Sequence, residues 1–104
     1  MLGNRVNKNS LPLPPVANEN TSAVEVLRVW AAPGRPQQLT MQTTWKDPGA
    51  WGLLLVDIAR HASKAYEADG RDPIEVLKRI HECWNAEWKE PTDDALRIDV
   101  DNQE

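Results

Sequence analysis

Between residues 51 and 65 the apolar positions Trp51, Leu54, Leu55, Ile58, Ala62 and Ala65 follow the three-and-four spacing of one helical face, and Leu53 and Val56 widen it. Asp47 predicts the N-cap and Pro48 the first helical residue, because a cap oxygen satisfies an orphan amide and proline has none to lose. Asp69 and Gly70 end this helix, glycine taking the left-handed position at little cost. The start signal recurs at once in Asp72 and Pro73, with Glu75 at the third helical position to complete a capping box. A second stripe follows, Ile74, Leu77, Ile80, Trp84 and Trp88, while Glu75, Arg79 and Glu82 point outward. It should end near Lys89, before Pro91. So short a connection predicts an antiparallel helical pair.

The pattern upstream has a different period. Residues 24–31, VEVLRVWA, are dense in β-branched and aromatic types and stop at the breaker PGRP at 33–36, so they predict a strand and a turn. In QQLTMQTTW the side chains alternate, with Leu39, Met41, Thr43 and Trp45 on one face and Gln38, Thr40, Gln42 and Thr44 on the other. The two runs make a β-hairpin. Its first strand carries apolar groups on both faces: Leu27 and Val29 on one, and Val24, Val26 and Trp30 beside Arg28 on the other. One face must meet the core, so the other, Val24, Val26, Arg28 and Trp30, is a candidate interface.

The expected fold is therefore α+β, a β-hairpin followed by two antiparallel helices packed on one face of the sheet. An isolated hairpin is marginal in water, and pairing first strands across a two-fold axis would complete a four-stranded sheet in a homodimer. Residues 1–22, rich in Asn, Pro and Ser with LPLPP at 11–15, read as a flexible N-terminal arm, residues 23–90 as a single α+β domain and residues 91–104 as an acidic C-terminal tail. Pro12 to Pro15 fits a PxxP ligand, a match that chance supplies often in such arms. In the tail, Leu96, Ile98 and Val100 alternate with Arg97 and Asp99 like a short edge strand, but the acidic composition weighs toward disorder.

Composition narrows the function classes. The 104 residues carry a formal charge of −4, divided as +2 over 1–44, −2 over 45–90 and −4 over 91–104. Arg28, Arg35 and Lys46 are scattered and make no basic face, which argues against nucleic acid as a partner. Cys83 is the only cysteine, so no intramolecular disulfide forms and a reducing cytoplasm is the expected compartment. No run is long enough to span a bilayer and the N-terminus lacks the apolar region of a signal peptide, so no membrane partner is expected. Five Trp, one Tyr and no Phe form an unusual aromatic set. Trp suits half-buried positions and interfaces, where its body is covered and its N–H finds a partner, although it also supplies bulk to a small core.

Chemistry-bearing residues are few. His61 lies four residues after Asp57 on the first helix, so the carboxylate could orient the imidazole as a base, with Trp51 one and a half turns upstream. A surface pair explains the spacing better, because Arg60 and Lys64 lie nearby and no third partner is in view. His81 and Cys83 stand two apart in HECW and face different sides of the second helix, and Asn85 occupies the place of the second histidine of HExxH. Gly49 and Gly52 flank Trp51 without phosphate-loop spacing, and their small size lets the helix start approach the sheet or a neighbouring backbone closely. Neither a metal, a cofactor nor a catalytic residue is called for.

EVLRVWAAPGRPQQ at 25–38, DPGAWGLLLVDIARHASKAY at 47–66 and AEWKEPTD at 86–93 resemble a small bacterial family of unknown function, DUF5076, over nearly all of residues 11–94. The resemblance implies a bacterial, cytoplasmic α+β protein and transfers no catalytic residues. The leading expectation is a non-enzymatic homodimeric protein-interaction module, its partner a second copy or another protein. The alternative is a small-ligand-binding protein or enzyme with a site between helices and sheet, using Asp57, His61 or Trp51.

Overall fold

The computed structural model describes residues 7–92 and 95–98. In chain order they form α1 (Val16–Glu19), β1 (Leu27–Trp30), β2 (Gln38–Met41), α2 (Gly49–Glu67), α3 (Pro73–Lys89) and β3 (Leu96–Ile98). The protein is α+β. Within the stretch expected as an arm, α1 is a single turn closed by the Asn20 amide on the Val16 carbonyl at 3.1 Å.

β1 and β2 pair antiparallel, with Leu27 opposite Met41 and Trp30 opposite Gln38. Pro33 and Gly34 make the turn, Gly34 at φ +73° and the Arg35 amide on the Ala32 carbonyl at 3.3 Å. Proline presets the first central dihedral of such a turn and glycine reaches positive φ freely at the second. β3 pairs parallel with the free edge of β2, placing Leu96 beside Gln38 and Ile98 beside Thr40. Residues 96–98 are thus a strand, where acidity weighed toward disorder. The β2 edge offers unpaired amides and carbonyls that the tail fills, beginning with the Leu96 amide on the Gln37 carbonyl at 2.7 Å. The rest of the acidic tail, 93–94 and 99–104, lies outside the described residues, as do residues 1–6.

Both helix starts use the expected aspartates. The Asp47 carboxylate accepts the Gly49 amide and the Asp72 carboxylate accepts the Ile74 amide, each at 2.9 Å. Glu75 sends no return bond, so the second start is a simple cap with Pro73 in the first turn. Gly70 at φ +88° ends α2, its amide on the Glu67 carbonyl at 2.9 Å, and the Arg71 guanidinium lies 5.2 Å from the Tyr66 ring centre.

Packing refines the expected arrangement in two ways. α2 packs on α3 while β1 and β3 flank β2. The short join from β2 sets this arrangement: the Trp51 indole N–H donates to the Thr43 carbonyl at 3.0 Å and holds the start of α2 at the end of the strand. Second, the α2–α3 seam runs through Ser63 and Val76, the only buried residues among those described. The middle of the expected α3 stripe, Leu77, Ile80 and Trp84, faces the groove beside α2, while its two ends, Ile74 and Trp88, are both 73% exposed. Small residues on α2, Ala59, Ala62 and Ser63, let α3 approach through Val76 and Ile80.

Among the described residues eighteen large apolar side chains therefore stand exposed.

Candidate functional site

The first half of α2 is apolar on nearly every side, with Leu53, Leu54, Leu55, Val56 and Ile58 in six positions. A helix apolar all round belongs in a buried setting. Leu54 alone of these is half-buried, and the other four stay exposed. On one flank of the seam, Gly52, Leu55, Val56 and Ala59 of α2 and Leu77, Ile80, His81 and Trp84 of α3 enclose an open groove of about 490 Å³. Its walls are almost wholly hydrocarbon and indole, with the His81 imidazole as the one titratable group. Trp84 and Trp88 meet edge to face at 5.8 Å and form a ridge along α3. Such a surface can exclude water from an apolar ligand or another helix. It offers no convergent acid, base and nucleophile.

The expected site residues fall in separate places. Asp57 and His61 are both exposed, lie outside the groove lining and share no hydrogen bond. Trp51 is occupied by its bond to Thr43 and by an edge contact with Trp45 at 5.7 Å, so it joins α2 to the sheet. The groove histidine is His81, which lies four residues after Leu77 and three before Trp84. That spacing, visible in the sequence, could have found it. Cys83 is exposed, and among the described residues no group of three or more His, Cys, Asp or Glu is placed to hold a metal ion.

The candidate interface on β1 is similarly dispersed. Val24 is exposed and Val26 half-buried, Trp30 is 37% exposed, and the Arg28 guanidinium pairs with Glu25 at 2.9 Å. β3 extends this face with exposed Leu96 and Ile98, while Leu27, Val29, Leu39 and Met41 share the other. The arm, residues 9–14, flanks a second groove along β1 from Glu25 to Ala32.

A family model, a domain of unknown function (DUF5076), matches residues 10–92. The chain belongs to that family. Among solved structures it is similar to one described as "putative pyruvate dehydrogenase from the photosynthetic bacterium Rhodopseudomonas palustrus CGA009", at 39% identity and a TM-score of 0.70, over 88% of this chain and 94% of that one. No curated protein matches. Among the described residues no helix is long and apolar enough to cross a membrane.

Proposed function

We propose that this protein is a non-enzymatic homodimeric protein-interaction module acting in a bacterial cytoplasm. The observation that carries this reading is the imbalance of burial: among the described residues eighteen large apolar side chains stand exposed against one, Val76, that is buried. Soluble monomers do not keep apolar patches of that extent, and a two-fold association of identical chains is the commonest way to cover them. The activity in the name of the Rhodopseudomonas relative gains no support from the side chains here, since the groove holds a single imidazole and no second polar group to work with it. Sedimentation equilibrium tests the proposal. A species of twice the 11.7 kDa chain mass is expected at micromolar concentration, and a monomer throughout the high micromolar range contradicts it.

A second reading rests on the groove alone, whose volume of about 490 Å³ is that of a small-molecule site. In that case an apolar fluorophore should bind one per chain with a blue shift, and mutation of Trp84 should abolish binding without changing the oligomeric state.

A further inference from the structure

Two features of the helical pair ask for something outside the chain. The first is Gly52. Inside a helix, glycine costs about 1 kcal/mol relative to alanine, so it needs a reason. At Gly49 the reason is local, because a Cβ there would come within 3.2 Å of the Asp47 carboxylate that caps the helix. At Gly52 a Cβ would meet nothing within 4 Å, and Gly52 lines the groove. The second feature is area. On the helical pair Leu53, Leu55, Val56, Leu77, Trp84 and Trp88 all stand exposed. Obligate dimers bury about 2,000 Å² and more of mostly apolar surface, which a continuous apolar face of this kind on each chain can supply.

We infer that the α2–α3 groove receives the same groove of a second copy, forming a two-fold four-helix bundle in which Trp84 of each chain seats over Gly52 of the other. This deepens the homodimer proposal and rests on it. A two-fold interface must be self-complementary, offering a projection and a recess on one patch. Trp84 is 45% exposed along the groove and Gly52 is the bare position in the same lining, so one patch carries both a projection and a gap. An indole over a glycine backbone buries a large apolar area in a close approach that any side chain at 52 would block. Leu55, Val56 and Leu77 then line the bundle interior, with Asp57, Lys78 and Glu82 outside the groove lining. The β1 face remains free for a different partner.

Sedimentation equilibrium on full-length variants tests the inference, with far-UV circular dichroism to verify folding. Gly52→Leu and Trp84→Ala should each raise the dimer dissociation constant at least about tenfold, while Val29→Lys on the sheet should leave it within about twofold. If the native chain dimerises and Val29→Lys alone dissociates it, the dimer stands and the helical interface is overturned. A monomeric native chain overturns both. Should Gly52→Leu or Trp84→Ala lose helix content, nitroxides on Asn85→Cys in a Cys83→Ser background decide. The bundle places the two α3 helices within about 24 Å, two helix diameters, and a dimer whose labels lie well beyond that contradicts it.

Discussion

Thr44 holds φ +65°, the only non-glycine residue at positive φ among those described, and it is β-branched, the type that tolerates the left-handed region least. It sits between Thr43, whose carbonyl accepts from both the Trp45 amide and the Trp51 indole, and the start of α2. The junction holds the strain because those two bonds fix the backbone on either side. Thr44→Gly should relieve it and raise unfolding free energy by about 0.5–1 kcal/mol in urea titrations. Trp51→Phe keeps an aromatic ring, though a smaller one, but loses the N–H, and should cost at least about 1 kcal/mol. Val76 is the one buried aliphatic side chain among the described residues, so Val76→Ala should cost about 2 kcal/mol, measured the same way. Little of this was legible beforehand. Trp51 reads as part of a helical stripe, and only the backbone of a different element, Thr43, reveals what its N–H is for.

At the scale of elements, the ends were legible and the faces were not. Asp72 with Pro73, Asp47 with Gly49, Gly70 and the Pro33–Gly34 turn act within a few residues of themselves, and each works where the sequence places it. Replacing Asp72 with Ala should therefore cost about 1 kcal/mol, seen as lost helix content at intermediate urea. The face that α3 turns to α2 depends on the neighbour. α3 presents apolar groups over a wide arc from Ile74 through Val76 and Leu77 to Trp84, and the small residues Ala59 and Ser63 on α2 select Val76 from that arc. β3 was obscured for a related reason. The strand is only three residues long, and its partner Gln38–Met41 lies more than fifty residues away in sequence, so local composition argues for disorder. His81 was read for metal chemistry against Cys83, whereas its neighbours across the groove, Leu55 and Val56, are set by helix packing.

At the scale of the whole molecule, a helical pair and a three-stranded sheet are joined through the Trp51 indole on the Thr43 carbonyl. The helical pair has a seam of two buried residues, and the three-stranded sheet has apolar side chains on both faces. The excess of tryptophan and the two-faced first strand are visible in the sequence, because composition and strand alternation are read from pattern alone. The open groove between α2 and α3 exists only once the helices are packed. Under the proposed self-association, folding depends on protein concentration. Thermal unfolding measured over a hundredfold range of protein concentration tests that claim most directly. The midpoint is expected to rise by several degrees from the most dilute to the most concentrated sample. A midpoint that stays constant across the range, with cooperative loss of helix signal, would show that one chain is stable on its own and would contradict the account.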